Sequence, residues 1–242
     1  MNVLVGCEYS GIVRDAFEDE GWNAYSCDII STESEQTRAA GKHIQADILR
    51  VIEHIEKYGD TVPFIDDVGN VFYLPKFDLF IAHPPCTYLS FAYTGKERYS
   101  IDRLQQKIYA YQFFLDLWAA PIEHICLENP MGYVHTGLLP YTQIVEPYYF
   151  GDPYKKRTCL WLKNLPKLVH TDTGLFGHGT SVKPTHTFVR GCSQNKGRRL
   201  PVLTKPFANG KDTAKFHTGI ATAMAEQWTE YLINEIQTTK NK

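Results

Sequence analysis

The chain has six cysteines, Cys7, Cys27, Cys86, Cys126, Cys159 and Cys192, but no two stand as C-x-x-C. Zinc-ligand spacing is therefore missing, and no metal is expected. No stretch reaches the ~20 consecutive apolar residues that a membrane helix needs. No leader pattern precedes the strand-like run NVLVG after Met1, so the expected location is cytoplasmic, with reduced thiols. An excess of basic charge is also missing: 25 Lys and Arg face 27 Asp and Glu, a net charge of −2. The chain as a whole is not a basic nucleic-acid binder, and any hold on a polyanion must come from a local patch. The glycine fingerprint of dinucleotide sites and the P-loop are both missing. There is no internal repeat and no low-complexity tract.

What is present is ordinary for a globular protein: 242 residues, 43% hydrophobic, with 13% aromatics that could serve the core or stack on bases. Short apolar strands alternate with helix-length patterns, which predicts an α/β fold with a doubly wound, mostly parallel sheet. Strands are expected at 2–6, 22–27, 77–82, 124–128 and 158–162, with a further short strand ending near Asp47. Helices are expected at 12–20, 101–118 and 218–236. The middle helix carries an apolar stripe of Ile101, Leu104, Ile108, Tyr111, Leu115 and Trp118. Residues 55–76 break the pattern and suggest a small insertion or hairpin. The expected organisation is a domain over 1–165, a short, basic, loop-rich segment over 166–215, and a C-terminal helix over 216–242 that returns to the first domain.

Four segments carry chemistry. The first strand ends in Gly6-Cys7-Glu8-Tyr9-Ser10-Gly11, a turn that can bring backbone close to a ligand, or serve simply as a strand–helix connection. Asp28 ends the second strand, where an acid can accept hydrogen bonds from ribose hydroxyls. Asp47 follows, where an acid could meet an adenine amino group; either acid could instead cap a helix. A buried strand then delivers His83-Pro84-Pro85-Cys86-Thr87-Tyr88-Leu89-Ser90 to the carboxyl edge of the sheet. Proline stiffens that loop, and a stiff loop aims a nucleophile, although a small buried thiol is the common fate of a free cysteine. Glu128-Asn129-Pro130 ends the next strand, which would set Glu128 beside Cys86. Last, Lys155-Lys156-Arg157 enters the strand at 158–162, where a cation could hold a pyrimidine carbonyl or a phosphate, or stay solvated.

Taken in order, these segments resemble the DNA cytosine carbon-5 methyltransferases, over about residues 2–165 and a stretch near 217–230. Pro84-Pro85-Cys86 with Ser90 matches the family's nucleophile motif, and Glu128-Asn129-Pro130 its Glu-Asn motif. The resemblance implies a Rossmann-like S-adenosylmethionine-dependent methyltransferase fold. It implies Cys86, Glu128, Ser90 and Arg157 as catalytic residues. It places S-adenosylmethionine against Gly6, Cys7, Glu8, Tyr9, Ser10, Gly11, Asp28, Asp47 and Pro84. Its implied chemistry is addition of the Cys86 thiolate to carbon 6 of a cytosine, methylation at carbon 5, and elimination, with the base flipped out of duplex DNA. The arginine motif is altered, and Arg157 is its nearest candidate in Tyr154-Lys155-Lys156-Arg157-Thr158. The closing motif is reduced to His217-Thr218-Gly219-Ile220-Ala221.

The family's sequence-reading domain is replaced by about fifty residues. Within them, 183–215 carries Lys183, Arg190, Lys196, Arg198, Arg199, Lys205, Lys211 and Lys215 against the single acid Asp212. Lys156, Arg190, Arg198 and Arg199 are the candidates for nucleic-acid contact; a solvated loop is the plainer reading. His170, His178 and His186 are read as loop residues. The short segment suits a compact, phage-like member acting on DNA. It also leaves open a pyrimidine-modifying enzyme that acts on a nucleotide or adds a group other than methyl, or a non-catalytic protein of the same fold that binds S-adenosylmethionine or DNA. Oligomeric state is not legible.

Overall fold

The computed structural model describes residues 1–90, 100–132, 134, 137–170, 181–187 and 216–240. Alternating apolar side chains give β1 (Asn2–Gly6) two usable faces: Val3 and Val5 are buried in one core, Leu4 in the other. Beside it lie β2 (Asn23–Asp28), β3 (His43–Gln45), β6 (Leu79–Ala82), β7 (His124–Pro130), β8 (Gln143–Val145) and β10 (Thr158–Lys163). Together they form one seven-stranded sheet in the order β3-β2-β1-β6-β7-β10-β8. β10 alone runs antiparallel to its neighbours, β7 and β8. This is the doubly wound, mostly parallel Rossmann-like sheet the sequence predicts.

One face is covered by α1 (Ile12–Asp19) and α5 (Thr218–Lys240), whose Phe17, Met224 and Trp228 close over Val3, Val5, Leu79 and Ile81. Trp22 Nε1 donates to Thr229 Oγ1 at 2.7 Å, which ties β2 to the C-terminal helix. The other face is covered by α3 (Ile48–Tyr58) and α4 (Ile101–Trp118) through Val51, Ile52, Phe114 and Leu117. α2 (Glu35–Ala40) follows the loop after β2. Each fully buried aliphatic or aromatic side chain contributes about 1.5–3 kcal/mol of transfer free energy.

Several expectations are corrected. α4 has the predicted limits, but its apolar stripe does not mark one buried face. Ile101, Leu104 and Ile108 are exposed, and the helix is anchored by Phe114 and Leu117 in its C-terminal half. The expected insertion at 55–76 starts inside α3, since Asp47 caps that helix and the apolar period runs on to Tyr58. The hairpin proper is β4 (Phe64–Ile65) with β5 (Val71–Phe72). The sequence reading did not anticipate β8, nor the two-residue strands β9 (Tyr154–Lys155) and β11 (His186–Thr187), which pair in parallel. No described helix is long and apolar enough to cross a membrane.

The chain leaves β1 toward β2 and β3 on one side, and returns to β6 and β7 on the other. The crevice between the carboxyl ends of β1 and β6 is the place where such sheets bind ligands.

Candidate active site

The turn after β1 is shaped by a missing cap. Gly11 occupies the N-cap of α1 in the left-handed region, φ 74°, and has no side chain to accept the first helical N–H groups. Glu8 supplies the acceptor: its carboxylate takes Val13 N at 2.6 Å and Arg14 N at 3.2 Å. Burial raises the Glu8 pKa, and the His83 charge and these two amides oppose the rise. A Cβ at Gly11 would come within 2.5 Å of Ser34 Cβ, so α1 and the loop before α2 meet at a glycine. Tyr9 holds the same loop, its carbonyl accepting from Glu33 N and Thr32 Oγ1. Ser10 Oγ is 3.4 Å from the Glu8 carboxylate.

Cys7, at φ 56°, turns instead into a cleft of ≈ 360 Å³. Asp28, Asp47 and Pro85 share its lining, with Ile29, Ile48, Tyr88 and Phe113 among the walls. The expected cofactor residues thus divide. Cys7, Asp28 and Asp47 line the cleft, whereas Glu8, Tyr9, Ser10 and Gly11 hold the turn. Gly6 is packed against Ile48 and Phe80. Pro84 spends its carbonyl on Asn129, and its neighbour Pro85 faces the cleft. Asp28 is half-buried, and the loss of solvent raises its pKa despite the Ile30 N–H at 3.3 Å. Asp47 also caps α3, accepting from Leu49 N at 2.9 Å. A concave site of this size, with apolar walls and two carboxylates at sheet edges, suits a nucleoside that carries positive charge. The residues present fit S-adenosylmethionine.

The loop that carries Cys86 and the strand that carries Glu128 and Asn129 are joined at three points. Asn129 Nδ2 donates to Pro84 O at 2.7 Å. Ser90 pairs with Gly132 in an isolated β-bridge. His83 Nδ1 lies 3.4 Å from Glu128 Oε2. A Cβ at Gly132 would fall 2.0 Å from the Leu89 carbonyl oxygen, so only glycine permits the approach. Within the loop, Leu89 N and Ser90 N both donate to Cys86 O, which makes one tight turn and leaves Cys86 exposed.

Electrostatics couple the pair. Loss of solvent around the sulfur and the Glu128 carboxylate raise the Cys86 pKa, and Lys156 pulls it down. Burial would raise Glu128 too, but the His83 hydrogen bond and the charges of His83, Lys156 and His217 win, and its carboxyl is held below the ordinary range. Among the described residues, Lys156 is the lysine or arginine whose charge reaches both groups. Arg157, expected there from sequence, points away: its side chain is 65% exposed and its Nε lies 3.7 Å from Glu146. Strand alternation explains the difference, because Thr158 enters the core at the start of β10 and the residue before it faces solvent. His83 precedes the Pro84-Pro85-Cys86 motif and has no role in the sequence reading; its place before two prolines at a strand end is the available signal. Arg190, Arg198 and Arg199 lie outside the described residues.

No family model matches this chain, and no curated protein matches it. Among solved structures it is similar to a candidate DNA modification methyltransferase encoded within an E. coli prophage. Sequence identity is 14% and the TM-score 0.42, over 67% of this chain and 46% of that one. The chain thus spans under half the length of that structure, and a likeness so distant does not extend to substrate or chemistry.

Proposed function

We propose that this chain is an S-adenosylmethionine-dependent methyltransferase that methylates carbon 5 of cytosine in DNA through a covalent Cys86 adduct. The observation that carries this reading is the joining of two strand ends beside a nucleoside-sized cleft. Asn129 clamps the Pro84 carbonyl, and Cys86 and Glu128 thereby share one electrostatic site with Lys156. A cytosine flipped from the duplex would enter between them. S-adenosylmethionine in the cleft would supply an electrophilic methyl group.

Cys86 forms a bond to carbon 6 of the ring. The carbon 5–carbon 6 π pair shifts between carbons 4 and 5, and the displaced pair settles on ring nitrogen 3, which takes up the proton that the Cys86 thiol releases. Carbon 5 is then nucleophilic. After alkylation, water takes the carbon 5 proton, that C–H pair forms the carbon 5–carbon 6 double bond as the sulfur leaves with its own pair, and the departing Cys86 thiolate recovers the proton of nitrogen 3. The resting thiol is protonated, so Cys86 must lose its proton as the carbon–sulfur bond forms, and Lys156 favours the thiolate. Glu128 holds the exocyclic amine and nitrogen 3.

The test uses radiolabelled S-adenosylmethionine with DNA, RNA and free cytidine nucleotides. Label should enter DNA, and Cys86→Ser should abolish transfer while cofactor affinity survives. DNA carrying 5-fluorocytosine should trap an adduct on Cys86, because the departing proton is replaced by fluorine. Near wild-type turnover in C86S, or absence of the adduct in an active preparation, would remove the assignment. Label entering only free nucleotides would move the substrate from DNA to the nucleotide.

A further inference from the structure

His83 belongs neither to the nucleophile nor to the Glu-Asn motif, yet it stands between two buried carboxylates. Its Nδ1 is 3.4 Å from Glu128 Oε2, and its charge also acts on Glu8, the buried cap of α1. Both the backbone and the ring of this residue are restrained. Its backbone N donates to Gly6 O at 3.0 Å, Phe216 lies against it at 4.7 Å between centroids, and Pro84-Pro85 follow it. Nε2 is buried and has no hydrogen-bond partner among the described residues. A surface histidine would not be fixed in this way. An imidazole immobilised against a carboxylate sets that carboxylate's orientation and charge.

The geometry points to His83 as the positioning residue for Glu128, holding its carboxylate ionised and aimed at the base that Cys86 attacks. This rests on the carbon-5 reading above. The groups facing Glu128 are His83 after β6, Cys86 in the nucleophile loop, Lys156 before β10, His217 before α5, and the buried thiols Cys126 and Cys159. His83 is the group that hydrogen-bonds it, at 3.4 Å. Removing that bond and charge leaves burial less opposed, so the carboxyl should protonate at higher pH.

The test is a 13C NMR titration of glutamate carboxyls, with Glu128 assigned by its absence in E128Q, in wild type, H83Q and H83F. The Glu128 midpoint should move up by about one pH unit in H83F. It should move up in H83Q as well, where a donor remains and the charge does not. In both variants the acid limb of kcat/KM for DNA methylation should move up by the same amount. An unmoved Glu128 midpoint in a folded H83Q or H83F overturns the inference, whether or not the protein methylates anything. Wild type that transfers no methyl to any nucleic acid would instead overturn the carbon-5 reading and leave the titration to decide His83. Should H83F fail to fold, the nearly isosteric H83Q carries the measurement.

Discussion

At the scale of single residues, the site is a set of buried titrating groups that restrain one another. His217 is buried, and its pKa is lowered to about 4, by burial first and then by Lys156, against the pull of Glu128. A histidine depressed in the native state remains neutral there while the unfolded chain takes up a proton. Stability therefore falls as pH drops from the unfolded value near 6.5 toward 4. Between pH 7.5 and pH 5 this group alone should remove about 2 kcal/mol. In H217Q the loss over that interval should be smaller by a similar amount, read from urea midpoints at the two pH values. Parallel pH dependence in the two proteins would mean that His217 titrates normally. Cys86 stands in a similar balance: loss of solvent and the Glu128 carboxylate raise its pKa, and Lys156 lowers it.

At the scale of elements, glycines decide which loops can meet. Gly219 lies in the first turn of α5, with its N–H donating to Asp152 Oδ2 at 2.8 Å. A Cβ there would fall 1.9 Å from the Phe150 carbonyl oxygen. In an isolated helix, glycine to alanine stabilises by up to ~1 kcal/mol. Here G219A should destabilise by about 1–3 kcal/mol, because the helix start must retreat from the turn at 147–150. Thermal melting decides between the two signs, and a raised Tm would mean that α5 slides at little cost. Gly132 has the parallel role between the Cys86 loop and the end of β7, where the Leu89 carbonyl leaves no room for a side chain.

At the scale of the whole molecule, the proposed DNA substrate raises the question of how a chain of net charge −2 would hold a polyanion. The proposal that 183–215 grips a DNA backbone predicts counterion release and a steep fall of affinity with salt, about 0.9 log units per log unit of salt for each phosphate neutralised. Reversing Arg198 and Arg199 to Glu should weaken DNA binding and flatten that slope, while affinity for S-adenosylmethionine, proposed to sit in the cleft at Asp28 and Asp47, stays within error. Fluorescence anisotropy across a salt series makes the measurement. Equal slopes in the two proteins would make the stretch a solvated loop and favour a nucleotide substrate.

The sequence by itself determined the alternation of strands and helices. Apolar period and glycine stops are local signals, and the bounds of β1, α1 and α4 were legible from them. It also pointed to Cys86 and Glu128 reaching one edge of the sheet, since Cys86 follows the buried strand β6 and two prolines, and Glu128 lies near the end of β7, two residues before Pro130. Only the tertiary structure decided which cation joins them. Lys156 and Arg157 are adjacent, and a one-residue change of phase at the start of β10 sends one inward and the other to solvent. Tertiary structure alone decided that Glu8 would cap α1, because that use follows from Gly11 having no side chain. It decided also that the apolar stripe of α4 would bury only its C-terminal half, and that His83 would stand against Glu128. Those pairings join residues far apart in the chain, His83 and Glu128 by 45 positions, and no local period encodes such a distance.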